Sequence, residues 1–209
     1  MSKQLLNKYT LKFEGNDLYE NIRIYYERFG RSDVYNHTLE VVEQTRKLSI
    51  HHSFDIKACE LGAYLHDIGR VVDYEDIVQL CFESGHEIID GEGDVPSILH
   101  QIASRIIASS VFGIQDERIL SAVECHTTLK KNPSEVDMVV FLSDKLSWQD
   151  EEYMELVAEL NEKSKVSKEK AIAHYLESLH AKRRELKCYH KWSEEAYLYF
   201  HTLNDCYVD

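Results

Sequence analysis

Proline and glycine are scarce in this sequence, which has two Pro and eight Gly among 209 residues. An all-β fold relies on these residues for its many tight turns, so their scarcity argues against one. Apolar residues instead recur every three or four positions over long stretches, as they do in amphipathic helices. We therefore expect an all-α protein, a bundle of about eight to ten helices, with one domain over residues 1–209.

Paired cysteines and long apolar runs are also lacking. None of the five cysteines has CxxC spacing, which argues against a disulfide framework or a zinc knuckle. No stretch approaches the roughly 18 apolar residues of a membrane span, and residues 1–16 contain no apolar signal segment. We expect a cytoplasmic protein with reduced thiols. The cysteines are Cys59, Cys81, Cys125, Cys188 and Cys206.

Basic residues are outnumbered, with 24 Lys and Arg against 37 Asp and Glu and a net charge of -13. Binding to duplex nucleic acid or to an anionic membrane requires a basic surface, so neither is expected as a partner. An anionic substrate would have to be attracted locally, by metal ions or by a few placed cations.

Ionisable side chains occupy positions where the helical patterns call for apolar ones. His37 lies on the same stripe as Val34 and Val41 of one predicted helix. His66 lies on the inner stripe of the next helix, and Asp67 follows it directly. Both helices should therefore carry metal-ligating groups toward the core.

Three later helices repeat this feature. His100 shares a stripe with Ala103, His126 follows Val123 at an interval of three, and Asp144 interrupts an apolar face. An unpaired carboxylate on such a face would be costly, so Asp144 needs a buried partner.

Each group taken alone has a simpler interpretation. A single inward histidine is more often a hydrogen-bonded core residue than a metal ligand, and Asp144 could pair with Arg105 or another buried cation. Six such groups on five inward faces are difficult to satisfy by mutual hydrogen bonds, whereas metal binding satisfies all of them. The predicted ligands are His37, His66, Asp67, His100, His126 and Asp144.

The number of ligands fits two ions that share a bridging carboxylate, and Asp67 is the expected bridge. The first ion would be held by His37, His66, Asp67 and Asp144. The second would be held by Asp67, His100 and His126. Imidazole-rich mixed sites suit iron, manganese or zinc rather than calcium, and the ligands do not decide among these metals. We expect two divalent or trivalent ions, with iron placed first and manganese, zinc or cobalt as alternatives.

The order of these residues resembles the HD-domain metal-dependent phosphohydrolase superfamily, whose pattern is a His, a His-Asp pair and a later Asp on successive helices. Here the pattern falls on His37, on His66 with Asp67, and on Asp144. The two further histidines resemble the dinuclear branch, and the His-Thr-Thr segment at residues 126–128 looks like the YqeK-type symmetrical diadenosine-tetraphosphate hydrolases.

This resemblance covers about residues 20–150 and implies an HD-type bundle whose metal core is packed by helices from residues 151–209. Two segments depart from the YqeK-type pattern. Leu129-Lys-Lys-Asn-Pro133 replaces a Gly-Arg-Pro segment, and Lys145-Leu-Ser-Trp-Gln-Asp150 replaces Tyr-Ile-Glu-Pro.

The resemblance implies a metal-dependent hydrolase of a nucleotide phosphate or phosphoanhydride bond, with diadenosine tetraphosphate cleaved to two ADP as the specific expectation. Asp67 would act through the metals that activate water, and His86 would protonate the leaving group. Arg70 and Lys145 are the candidate phosphate-binding and catalytic cations. Solvated surface positions are the alternative for both cations and for His86.

Thr127 and Thr128 are further candidates for contact with the substrate, and the alternative is that they only end a helix. The expected partner is a nucleotide or another phosphorylated small molecule. The aromatic segment Tyr189 to Tyr207 is interpreted as core or as a homodimer interface, since basic residues are sparse there.

Two other classes of function remain open from the sequence. A di-iron oxygenase could use the same ligands, and Glu83-Ser-Gly-His86 matches one Glu-x-x-His motif of di-iron bundles, although Gly85 disfavours a helix there. A regulatory domain that binds a nucleotide without turnover is the other alternative, and the full ligand set argues against it.

Overall fold

The computed structural model describes residues 5–89 and 91–205, and Cys206 and Tyr207 of the predictions above lie outside them. All regular secondary structure in these residues is helical, with ten α-helices and four short 3-10 turns. The predicted all-α bundle is therefore confirmed. None of the described helices combines the length and the apolar character that a membrane-spanning segment needs.

The ten helices follow one another with short connections. The first five are α1 Leu18–Arg28, α2 Ser32–Leu48, α3 Ile56–Leu65, α4 Tyr74–Glu83 and α5 His100–Ser110. The others are α6 Glu117–Cys125, α7 Glu135–Leu146, α8 Met154–Ser164, α9 Lys168–Ala181 and α10 Lys191–Asp205. The 3-10 turns are Leu6–Tyr9, Ile68–Val71, Pro96–Leu99 and Glu151–Tyr153.

Several helices begin where a side chain caps the free backbone N–H groups. Asp17, Asp55 and Asp116 each accept a hydrogen bond from the first turn of the helix that follows. Ser134 forms a reciprocal capping box with Asp137 at the start of α7. These local signals fix the starts of four helices, including three that carry predicted ligands.

The helices that carry these ligands pack around one another. α2 packs on α3 and α7, α6 packs on α3, α5 and α7, and α9 packs on the outer side of α7. The contact between Phe141 and Tyr175, whose ring centroids are 5.4 Å apart, joins α7 to α9. The organisation of residues 1–209 as one domain stays a prediction, and these contacts are consistent with it.

The connection after α3 is pressed against α5. The 3-10 turn Ile68–Val71 packs on α5, and the N–H of Gly69 donates to Ser104 Oγ at 2.8 Å. A Cβ atom on Gly69 would lie 2.3 Å from the backbone oxygen of His100 and 2.4 Å from the backbone nitrogen of Ser104. Only glycine permits this approach, which sets the distance between the His-Asp pair and His100.

We expect Gly69→Ala to destabilise the protein by roughly 3 kcal/mol or more, because the added methyl group would meet backbone atoms of α5 that cannot rotate away. Gly93→Ala is the matched control, since a Cβ there meets nothing within 4 Å. Denaturant unfolding of both variants measures the difference. Equal free energies of unfolding would contradict the close-approach argument.

Candidate metal centre

The structure brings the six predicted ligands together from five helices. His37 lies on α2 and Asp144 on α7, while the other four lie at helix ends. His66 and Asp67 directly follow α3, His100 begins α5, and His126 directly follows α6. All except the half-buried His37 are buried, so the cluster lies inside the bundle with one edge toward solvent.

Asp67 lies between two sets of imidazoles. Its Oδ2 is 3.7 Å from His66 Nε2 and 4.0 Å from His37 Nε2. Its Oδ1 is 3.1 Å from His100 Nε2 and 3.4 Å from His126 Nε2. Two groups of three residues that could each hold a metal ion therefore share this carboxylate. That is the arrangement expected of a bridging ligand.

Asp144 joins the first of these groups. Its Oδ1 lies 3.2 Å from His37 Nε2 and 3.8 Å from His66 Nε2. Its other oxygen, Oδ2, accepts a hydrogen bond from Lys145 Nζ at 2.7 Å. Oδ1 therefore faces the imidazoles, while Oδ2 is hydrogen-bonded to Lys145.

Three of the imidazoles are oriented by the backbone. Nδ1 of His66, His100 and His126 lies 2.7, 2.7 and 2.8 Å from the carbonyl oxygen three residues earlier. A carbonyl only accepts, so each Nδ1 carries the proton and donates it. In the neutral ring, the Nε2 lone pair then faces the centre, which is how metal-binding histidines are usually held.

The donor set fits a bound cation. Among the described residues, His66 Nε2 and Asp67 Oδ1 are buried and have no hydrogen-bond partner. Nε2 of His100 and Nε2 of His126 are 3.0 Å apart, and both carry lone pairs when their Nδ1 atoms hold the protons. Such contacts repel unless a cation or a proton lies between them. Metal binding satisfies all of these atoms with N and O ligands of the usual kind.

Burial also prepares the ligands for metal binding. It lowers the pKa of His66 and brings that of His126 to about 3, so both imidazoles are neutral near pH 7. Burial alone would raise the pKa of Asp67, but the guanidinium of Arg70, which donates to Oδ2, favours the ionised form, and the pKa lies well below its usual range. His66 and His126 are therefore available as neutral ligands beside the ionised carboxylate of Asp67.

Lys145 is a buried cation rather than a surface one. Its ammonium donates to Asp144 Oδ2 and, at 3.1 Å, to the backbone oxygen of His126. It also lies 4.8 Å from the ring centroid of Phe141 and 5.2 Å from that of Trp148. Burial alone would raise the pKa of Asp144, but Lys145 outweighs it and the pKa stays well below its usual range. Lys145 therefore positions Asp144.

Arg70 and Thr127 lie at the solvent side of the centre. Arg70 Nε donates to Asp67 Oδ2 at 2.6 Å, and almost half of its side chain is exposed. Thr127 Oγ1 lies 3.1 Å from Nε2 of both His100 and His126. Both residues line the groove that leads from the centre to the surface, so both are placed to meet a substrate.

Two other predicted residues are not brought into the site. Thr128 is buried and forms hydrogen bonds with Gln101, so it lies in the core beside the centre. His86 Nε2 lies 2.9 Å from Glu92 Oε2, and His86 lines a separate cavity. The geometry therefore contradicts the predicted substrate contact of Thr128 and the predicted acid role of His86 at this centre.

The alternatives for single residues are also corrected. Arg105 pairs with Glu117 and Glu124 instead of Asp144, whose buried cation is Lys145. α4 ends at Glu83 and Gly85 has a φ of +93°, so Glu83 and His86 do not share a helix. The Glu-x-x-His motif of a di-iron bundle is therefore not formed.

The sequence did not predict which residues line the groove. On one side they come from α2 and on the other from the segment after Asp144, where the chain departs from the YqeK-type pattern. That departure was the only available signal for Trp148 and Gln149. Besides the residues already described, the lining includes Asp33, Val34, Glu40, Ser147, Trp148, Gln149 and Asp150.

Comparison with known families gives a match over the same region. Residues 34–149, more than half of the chain, match the HD domain family. The chain is also similar in structure to a crystal structure from Clostridium acetobutylicum, described as that of a predicted HD superfamily hydrolase involved in NAD metabolism. The TM-score is 0.81 at 25% identity, covering 88% of this chain and 97% of that one.

Sequence relatives also match part of the chain. An uncharacterised protein encoded in the pepC 5′ region of Lactococcus lactis subsp. cremoris is 46% identical over 88 residues, which are 42% of this chain and 45% of that protein. A symmetrical bis(5′-nucleosyl)-tetraphosphatase of Staphylococcus aureus is 30% identical over 112 residues, 53% of this chain and 56% of that protein. The chain thus spans about half the length of these relatives.

Metal content should follow the two ligand groups. We expect about two ions per chain in the wild type, about one in His126→Ala and almost none in Asp67→Ala, because only Asp67 contributes to both groups. Elemental analysis by mass spectrometry measures this. His174→Ala is the control, since that histidine pairs with Glu159 outside the cluster. Full occupancy in Asp67→Ala would rule out the bridge.

Replacing Lys145 should destabilise the protein, because the buried carboxylate of Asp144 would lose its cation. We expect Lys145→Met to lower the free energy of unfolding of the metal-free protein by about 3–5 kcal/mol, because Asp144 is left without its cation. Adding Asp144→Asn to that variant should restore part of the loss by removing the charge. Denaturant unfolding of the single and double variants tests this, and no recovery in the double variant would count against the pairing.

Proposed function

This chain belongs to the HD domain family, and on that basis we propose that it is a metal-dependent phosphohydrolase that cleaves diadenosine tetraphosphate symmetrically into two ADP. The observation that carries the proposal is the position of Asp67, whose two oxygens face two separate imidazole groups. The name of the Staphylococcus aureus relative supports the choice of substrate.

The chemistry assigned to the metals is general to dinuclear hydrolases. Two cations held by the six ligands would lower the pKa of a water to about 7 and neutralise the charge of a phosphoryl group, so that water can attack phosphorus. A protein nucleophile is not required. The role of the chain is to hold the cations and to orient the phosphates.

The groove residues are placed for that role. Arg70 holds a positive charge beside Asp67 with its guanidinium partly open to solvent, which suits binding of phosphoryl oxygens. The hydroxyl of Thr127 can donate a hydrogen bond to a substrate oxygen at the same end. Lys145 also lines the groove. We propose that its ammonium attracts the phosphates of the substrate in addition to its hydrogen bond with Asp144.

The position of His86 is compatible with this reaction. Cleavage of the central phosphoanhydride bond releases ADP, whose terminal phosphate leaves without needing a proton from the protein. A general acid at the centre is therefore not essential.

The surface around the groove is acidic at Asp33 and Glu40, so attraction of the tetraphosphate must come from the cations inside.

We also propose iron as the metal, a cytoplasmic location and a homodimer. The mixed imidazole and carboxylate ligands support a transition metal, with manganese, zinc and cobalt as alternatives. Within the described part of the chain the cysteines Cys59, Cys81, Cys125 and Cys188 are all free, as a reducing compartment requires.

Product analysis tests the proposed function. We expect the protein loaded with iron, manganese or cobalt to convert diadenosine tetraphosphate into ADP alone, and water labelled with ¹⁸O to place the label on the β-phosphate of one ADP. Asp67→Ala should lose the activity by at least about 100-fold, because both ligand groups lose their shared member. His174→Ala is again the control.

The same assay separates the alternatives. Release of ATP and AMP would show asymmetric cleavage and reject the symmetrical reaction. If none of the three metals supports turnover of dinucleoside polyphosphates, mononucleotides or alarmones, the hydrolase proposal fails. Oxygen consumption in that case would indicate the oxygenase class, and nucleotide binding without turnover would indicate a regulatory domain.

A further inference from the structure

A second groove adjoins the one at the metal centre. Trp148 and Gln149 line the first groove and also the second one, which we call the distal groove. α2 forms one wall of both, and α8 with the end of α7 completes the distal part. The distal groove is lined by Gln44, Lys47, Leu146, Trp148, Gln149, Met154, Val157, Ala158 and Asn161.

The positions of residues along α2 give the distance between the metal centre and the distal groove. His37, at the metal centre, and Gln44, in the distal groove, are seven residues apart on the same helix, which corresponds to about 10 Å at a rise of ~1.5 Å per residue. Lys47 lies one turn further. This separation matches the reach of a nucleotide whose phosphate end is at the metals and whose base lies beyond them.

Trp148 presents a fixed aromatic side chain at the junction. It is half-buried, its ring centroid is 4.7 Å from that of Tyr153 and 5.9 Å from that of Tyr175, and Lys145 Nζ lies 5.2 Å from it. These contacts hold the indole before any ligand arrives. A pre-positioned aromatic ring loses little conformational entropy when a flat ligand stacks against it.

The remaining lining suits an uncharged heteroaromatic ring. Gln44, Gln149 and Asn161 contribute three amides, whose paired donor and acceptor groups match the edge of a purine base. Met154 and Val157 supply apolar contact beside them. The described lining of this groove contains no carboxylate, in contrast to the acidic entrance of the metal groove.

We propose that the distal groove binds the purine base of the nucleotide whose phosphates are hydrolysed at the metal centre, with Trp148 as the stacking residue. The inference rests on the proposed function for the identity of the nucleotide. It assigns a role to the segment after Asp144, where the chain departs from the YqeK-type pattern.

Ala158→Tyr tests the subsite by filling the groove from an exposed helix position. We expect the KM for diadenosine tetraphosphate to rise at least tenfold with a much smaller change in kcat, while the metal content and the melting temperature stay at wild-type values. Glu155→Tyr is the matched control, because Glu155 is exposed on the same helix and lines neither groove. An equal KM in both variants would overturn the proposal.

A binding measurement separates this proposal from the hydrolase assignment. The chain has two tryptophans, so Trp192→Phe leaves Trp148 as the only one, and Trp192 lines neither groove. We expect ADP to quench the fluorescence of Trp148 to saturation in that background. Adding Ala158→Tyr should weaken ADP binding at least tenfold, and adding Gln149→Ala should weaken it severalfold.

The outcomes are distinguishable. Quenching by ADP that is lost in Ala158→Tyr, in a protein that hydrolyses no nucleotide, would support the base subsite and reject the proposed function. Hydrolysis with a KM unaffected by Ala158→Tyr would retain the function and reject the subsite. Absence of quenching by ADP, or equal quenching by tripolyphosphate, would reject stacking of a base on Trp148.

Discussion

The buried carboxylate of Asp67 is the constraint on which the rest of the structure depends. An ionised group inside a protein costs several kcal/mol unless it is compensated, and among the described residues Arg70 compensates only Oδ2, whereas Oδ1 is buried without a hydrogen-bond partner. Arg70 donates a hydrogen bond to Oδ2, and the Nε2 atoms of four imidazoles surround the two oxygens. Three of those imidazoles are held by backbone carbonyls with their lone pairs inward, so the centre is complete only when it contains cations.

The helices meet this constraint by converging at their ends. His66 and Asp67 follow the last turn of α3, and the 3-10 turn after them lies against α5, where Gly69 allows backbone contact beside His100. Lys145 holds the outer oxygen of Asp144 and leaves the inner one for the centre. At these residues the packing of the helices sets the positions of the metal ligands, so a substitution that alters the packing also moves the ligands.

The distribution of charge differs between the metal centre and the distal groove. The acidic residues lie at the entrance, Arg70, Lys145 and the imidazoles lie at the centre, and the distal groove carries amides, apolar side chains and Lys47. A polyphosphate and an uncharged base require opposite surroundings, one rich in positive charge and one able to stack and to form hydrogen bonds. The two grooves, joined at Trp148 and Gln149, provide these surroundings side by side.

The sequence alone determined the helical class, the inward direction of His37, His100 and Asp144, and the resemblance to the HD superfamily, because helical periodicity and the order of ligands are local properties. Only the tertiary structure decided which oxygen of Asp67 faces which imidazoles, since that depends on distances between four separate helices, α2, α3, α5 and α6. It also decided that Lys145 is buried on Asp144, that His86 pairs with Glu92, and that Thr128 faces the core. Side chains at helix ends and in loops have no periodicity to indicate their direction, so their partners become known only when the helices pack.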